Sequence, residues 1–244
     1  MRATTGVAVL GCLFSLVALP ALAIDSVFTP AGAEGPAQTA HAPAKGPGPL
    51  VILLSGASGP NSYQPYSGDV SRLGYYAVLL DGNDILTRQQ DGAANLKKAI
   101  ERAQRSPLAI PGKAVVIGFS MGGGGAIAHA VTLPELVSAV IAYYPSTSFV
   151  PNAGVLVKRF QVPVLVLAGG QDTYRNCCLI ESMRAMESAA KEIGARFELV
   201  VYPNAKHGFN IEGPAYRGAD EQDAWRRTLE MLRQYSPLPA NIAK

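Results

Sequence analysis

Ser120, Asp172 and His207 have the residue types, and stand in the order along the chain, that acyl-transfer chemistry requires. Ser120 centres Gly118-Phe119-Ser120-Met121-Gly122, a G-x-S-x-G between the apolar run "AVVIGFS" and an alanine-rich stretch. A serine on so sharp a strand-to-helix turn has its hydroxyl raised above the sheet at the cost of backbone strain. Only small residues fit two places before and two places after it. The turn also aims the first amides of the helix at the serine, where they can bind an oxyanion. Gly123 to Gly125 then allow the helix to pack close to the sheet. A glycine-rich turn can instead cradle a phosphate, but the lysine of a P-loop and the spacing of a dinucleotide fingerprint are both missing.

A free serine is a poor nucleophile and needs a base held by an acid. The chain has 3 histidines. His41 lies in an Ala/Pro/Gly-rich leader and His129 falls mid-helix after Ser120, whereas His207 follows an apolar run in "YPNAKHGF". The acid expected between nucleophile and base is Asp172, just past the run in "VPVLVLAGGQDTY"; Asp81 and Asp84 compete for the role after an earlier run. One oxyanion donor is expected from the amide of Met121. The second is expected from "LLSGASGP", with Ala57 ahead of Ser58. Ser58, Tyr144, Tyr174 and Phe209 are the candidate substrate contacts, with Tyr63 and Phe149 also near strand ends. Arg175 would either attract a carboxylate or stay solvated. No metal and no cofactor is expected, because no His/Asp/Glu cluster has ligand spacing.

The elements that must position these residues are legible as alternating runs. Residues 50–56, 76–82, 114–120, 137–145, 162–170 and 197–203 are β-branched or leucine-rich and bounded by Gly, Pro, Asp or Ser. Continuous apolar runs of this kind fit parallel strands covered on both faces. Between them lie amphipathic segments; in "DGAANLKKAIERAQRS", Ala93, Leu96, Ala99, Ile100 and Ala103 fall on one helical face. Strand–helix alternation predicts a doubly wound, mostly parallel sheet with helices on both faces. Ligands bind such sheets beyond the carboxyl ends of the strands, where Ser120, Asp172 and His207 all fall.

The whole chain has 244 residues, 48% of them hydrophobic and 16% charged, with a net charge of +3, which suits one large α/β domain. Lys and Arg are scattered, which speaks against nucleic-acid binding. Residues 1–23 read as a signal peptide: Arg2, the apolar "GVAVLGCLFSLVALP" and the small-x-small "ALA". Residues 24–47 read as a flexible leader, mostly loop with an edge strand possible at "DSVFTP", and 48–244 as the catalytic domain. The expected product is an exported protein, periplasmic or secreted, monomeric and without stable membrane association after cleavage. Removing Cys12 with the leader leaves only Cys177 and Cys178. They either form a bridge between neighbours, stiffening the loop that carries Asp172, or stay as two partly buried thiols.

The chain order Ser, Asp, His is that of the α/β-hydrolases. Residues 48–235 resemble the dienelactone hydrolase family of that superfamily, through "GFSMGGGG", Asp172, and "HGF" at 207–209 followed by a helix containing Trp225. The resemblance implies an α/β-hydrolase fold with a minimal lid from 146–161 and a small-molecule ester or lactone substrate. The family's name-giving enzymes use cysteine where Ser120 stands, which favours ordinary ester hydrolysis through an acyl-enzyme. "SMGGGG" is also similar to the turn of cutinase-like polyester hydrolases, so polyester or lipid cleavage is the alternative substrate class. Acyl transfer to an alcohol would use the same three residues, and a non-catalytic binding protein on a hydrolase scaffold is the alternative of another class.

Overall fold

In the computed structural model, which describes residues 26–87 and 89–240, each of the six apolar runs forms a strand. The expected signal peptide lies outside the described residues. Two short strands come first, β1 (Ser26–Thr29) and β2 (Gln38–His41). The runs follow as β3 (Gly48–Leu54), β4 (Tyr76–Leu80), β5 (Ala109–Phe119), β6 (Val137–Tyr143), β7 (Val164–Gly169) and β8 (Phe197–Tyr202). They form an eight-stranded sheet in the order β1-β2-β4-β3-β5-β6-β7-β8. β3 to β8 are mutually parallel, while β1–β2 and β2–β4 are antiparallel pairs. Two strands thus come from the segment read as mostly loop. β2 forms because β4 has a free edge for "QTAH", whose modest apolar content alone gives no strand signal.

Alternation along each strand explains the continuous apolar runs. Leu50, Ile52 and Leu54 of β3 enter one buried cluster, and Val51 and Leu53 enter the cluster on the opposite face. The first face is covered by α3 (Gly92–Gln104), α4 (Met121–His129) and α6 (Ile180–Ile193), through Leu96, Ile100, Ile127, Met183 and Met186. The second is covered by α1 (Gln64–Arg72) and α7 (Gly218–Tyr235), through Tyr66, Val70, Ala224 and Leu232. Two short helices escape the periodicity argument, α2 (Asn83–Leu86) and α5 (Ala153–Val157), because neither spans enough turns to show a repeat. No helix among the described residues is long and apolar enough to cross a membrane.

β3 is flanked by β4 and by β5, so the chain winds outward in opposite directions from the β3/β5 pair. The carboxyl ends of β3 and β5 therefore mark the switch point where open α/β sheets bind ligands. The turn at Ser120 follows β5 and the loop at Ala57 follows β3.

Candidate active site

Ser120 leaves β5 at φ 51 and ψ −112 and directly precedes α4. A non-glycine residue at positive φ is sterically costly and needs surroundings that enforce it. Here they do. Ser120 N–H donates to the Tyr143 carbonyl at 3.0 Å, and the Ser120 carbonyl accepts from the amides of Gly124 at 2.9 Å and Ser146 at 2.8 Å. The expected need for small residues on either side is physical: a Cβ at Gly118 would sit 2.3 Å from the Gly122 carbonyl oxygen. One at Gly122 would sit 2.3 Å from the Leu54 carbonyl oxygen.

His207 lies on the loop between β8 and α7, and Asp172 on the loop after β7. The structure brings both to Ser120: His207 Nε2 is 2.9 Å from Ser120 Oγ, and His207 Nδ1 is 2.7 Å from Asp172 Oδ2. In the tautomer this line requires, Nδ1–H donates to the carboxylate and Nε2 accepts from the serine hydroxyl. The other carboxylate oxygen accepts from the Tyr174 amide at 3.1 Å, which fixes the carboxylate plane. The Asp172 side chain is 0% exposed and that of His207 16%, so the ring edge reaches solvent while the acid does not.

The competing acids hold other positions. Asp81 Oδ1 accepts from the Asn83 amide at 2.9 Å and from Asn83 Nδ2 at 2.8 Å, and Asn83 Nδ2 donates to the Ala57 carbonyl at 3.1 Å. Asp84 lies beside Asp81, and burial first, then that neighbour, pushes its carboxyl up. The Asp81–Asn83 pair thus holds the Ala57–Ser58 peptide, and with it the loop that carries the Ala57 amide, a role not legible in the sequence. Its signal was an Asp and an Asn two residues apart past a strand end, which reads equally well as turn chemistry. The loop approaches the nucleophile closely: a Cβ on Gly56 would lie 3.4 Å from Ser120 Cβ. Met121 is the first residue of α4, so its N–H has no acceptor within the helix. His41 sits in β2, 2.8 Å from Gln64, and His129 ends α4, where burial and then Arg159 lower its pKa.

The aromatic candidates separate into two groups. Tyr174 is 45% exposed and stacks on the His207 ring at 4.5 Å and 11°. The Arg175 guanidinium lies over the Tyr174 ring, 5.2 Å from its centroid. Ser58 is exposed on the loop after β3. Tyr144 and Phe209, by contrast, are buried at 1% and 0% exposure, which corrects their expected role as substrate contacts. Tyr144 adopts φ 36 directly after β6, which turns its ring beneath His207 at 4.7 Å, and its hydroxyl donates to Asn210 Oδ1 at 2.7 Å. Phe209 packs between Tyr202 and Tyr144 in the core. Tyr144 supports the histidine from behind, and Phe209 backs Tyr144. Tyr63 is also buried and hydrogen-bonds with Tyr144 and the Gly56 backbone; burial raises its pKa, so it stays a neutral phenol.

Cys177 and Cys178 are joined by a disulfide, which decides between the two alternatives open from the sequence. The Cys177 carbonyl accepts from the amide of Thr147 at 2.7 Å and its hydroxyl at 3.2 Å, tying this loop to the one after β6.

The strand order, the helices on both faces and the strained turn at the end of β5 define an α/β-hydrolase fold. Residues 83–236 match the dienelactone hydrolase family, and the chain belongs to it. A protein from Escherichia coli K12 named "Putative carboxymethylenebutenolidase" is 35% identical over 127 residues, 50% of this chain and 46% of that protein. This chain thus spans about half the length of such curated relatives. Among solved structures, a dienelactone hydrolase so named from Klebsiella pneumoniae, with the qualifier "putative", superposes with a TM-score of 0.72 at 23% identity, covering 87% of this chain and 100% of the other. Thermogutta terrifontis esterase 2, phosphoramylated by tabun, superposes with a TM-score of 0.66 at 20% identity, covering 83% and 91%.

Proposed function

We propose that this protein is a serine hydrolase that cleaves small carboxylic esters or lactones through an acyl-enzyme. The observation that carries this reading is the unbroken line Ser120 Oγ, His207, Asp172, with spacings of 2.9 and 2.7 Å at the sheet's switch point. His207 Nε2 takes the serine proton as Oγ attacks the ester carbonyl, and Asp172 stabilises the imidazolium that forms. The amides of Met121 and Ala57 receive the developing oxyanion; these hydrogen bonds are stronger in the transition state than in the ground state and so accelerate the step. The imidazolium then protonates the leaving alcohol, and water, activated by the same nitrogen, releases the acid. Ser58 and Tyr174 border the substrate, Tyr174 as the aromatic wall beside the histidine. The alcohol released from a lactone would stay tethered to the acyl group on Ser120 until the second step frees the hydroxy acid.

Family membership supports ester chemistry, and the relatives named for carboxymethylenebutenolide hydrolysis support a small cyclic or linear ester. Serine in place of the name-giving cysteine supports a broader ester range. Export is part of the same proposal, supported by the apolar N-terminal sequence and by a disulfide suited to an oxidising compartment. Initial rates on p-nitrophenyl esters of graded acyl length, beside small lactones and a polyester film, test the substrate class. A preference for short acyl chains is expected. Release of products from the film alone would move the assignment to a polyester hydrolase.

A further inference from the structure

The disulfide lies against the candidate base. Both sulfurs and a ring nitrogen of His207 fall within 4.8 Å of one another. Cys178 is buried and Cys177 partly open, and neither sulfur has a part in acyl transfer. We propose that opening this bridge creates a site for a soft divalent cation, Zn2+. Its ligands are the two thiolates and one nitrogen of His207, and its occupancy shuts off hydrolysis. The shut-off rests on the hydrolytic reading above; the metal site does not.

Opening is a two-electron exchange with a dithiol reductant. The reductant's thiolate attacks one sulfur, with Cys177 the accessible one, and the protein S–S bond breaks to leave a mixed disulfide. The reductant's second thiolate then displaces the protein sulfur and closes an S–S bond of its own. Two electrons and two protons end on Cys177 and Cys178. Adjacent residues hold their Cα atoms 3.8 Å apart, below the usual bridge span of about 4.4–6.8 Å, and such departures make a bridge more reducible.

The freed pair has the donor set Zn2+ prefers. Thiolates bind it at about 2.3 Å and imidazole at about 2.0–2.1 Å, and three protein ligands with an open fourth position are a common set. Ligand atoms sharing such an ion lie roughly 3.5–3.8 Å apart by those bond lengths, inside the 4.8 Å over which the three atoms are now gathered, once the two sulfurs part. Both thiols lose their protons to solvent on binding. The Asp172–His207 hydrogen bond already has the carboxylate–imidazole form that orients metal-binding histidines. Whichever ring nitrogen the ion takes, the line loses its link to Ser120 or to Asp172, and the base is disabled.

The test compares the intact disulfide form with protein reduced by a phosphine and freed of it without oxygen. Each is titrated with Zn2+ against a chromogenic chelator, and Co2+ is used as an optical probe. The reduced chain should bind one Zn2+ at least a hundredfold tighter than the disulfide form, and Co2+ should give a sulfur-to-metal charge-transfer band. Cys177→Ser and Cys178→Ser should each weaken the band and Zn2+ binding, the double variant should lose the band, and His207→Ala should weaken Zn2+ binding at least tenfold. Esterase activity of the reduced chain should fall with Zn2+ and return with chelator, while the disulfide form is unaffected. Equal Zn2+ affinity in the two redox forms, or a reduced enzyme that stays active with Zn2+ bound, overturns the proposal. Tight, sulfur-dependent Zn2+ binding in a protein inactive in every state would support the site and count against the hydrolytic reading instead.

Discussion

At φ 51 and ψ −112, Ser120 holds a conformation that costs an L-residue of order 1–3 kcal/mol. Only glycine adopts it cheaply. Ser120→Gly should therefore be more stable than Ser120→Ala by about 1 kcal/mol in urea unfolding, with both inactive. Ser120→Ala and His207→Ala should each lower kcat by about 10,000-fold or more, and the double variant should be scarcely worse, because the residues act as a unit. Asp172→Asn should lose a similar factor by favouring the wrong tautomer. A mild Asp172→Asn beside a damaging Asp84→Asn, in the same steady-state assay, would contradict the assignment. Asn83→Ala should free the Ala57 carbonyl, loosen the loop that carries the Ala57 amide, and lower kcat about tenfold or more with little change in KM. Ser120, Asp172 and His207 were legible because residue type and strand-end position coincide at each. Tyr144 and Phe209 have the same strand-end position, but which way a ring turns depends on one local φ and on neighbouring elements, and neither is written in the spacing.

Among the elements, α7 fixes the end of β8 from which the His207 loop departs. Tyr202, the last residue of β8, donates its hydroxyl to Asp223 Oδ2 at 3.0 Å, and Asp223 also accepts from Arg227 at 2.7 Å and Arg226 at 2.5 Å. The Arg227 hydrogen bond foremost, outweighing partial burial and helped by Arg226 and Tyr202, lowers the Asp223 carboxyl from 3.8 to about 2. Its folded value is below its unfolded one, so the stabilisation is complete above about pH 4 and disappears as pH falls through about 2. Asp223→Asn should thus lower the unfolding midpoint modestly at neutral pH and have little effect near pH 2, as followed by thermal melts across pH. An equal deficit at both pH values would remove the charge from the explanation. The long helices were legible from their apolar period and the parallel strands from their continuous runs. α2, α5 and β2 were not, because elements of four or five residues carry no period and β2 depends on an edge supplied by β4.

On the scale of the molecule, the gathering of the three residues follows from where the winding of the sheet reverses. The β3/β5 reversal sets the Ala57 loop beside the Ser120 turn. The outward order β6, β7, β8 brings the loops of Asp172 and His207 back over the same edge. Burial on both faces makes the sheet rigid enough to hold a strained serine, and the carboxyl-end loops remain free to carry chemistry. The role proposed for this arrangement is to make one serine of the chain a nucleophile. Treating the folded protein with a fluorophosphonate and measuring intact mass, followed by peptide mapping, tests it most directly. A single adduct located on Ser120 is expected, absent after heat denaturation and absent from His207→Ala over the same time. An adduct on a different serine, or none on a preparation that hydrolyses esters, would contradict it.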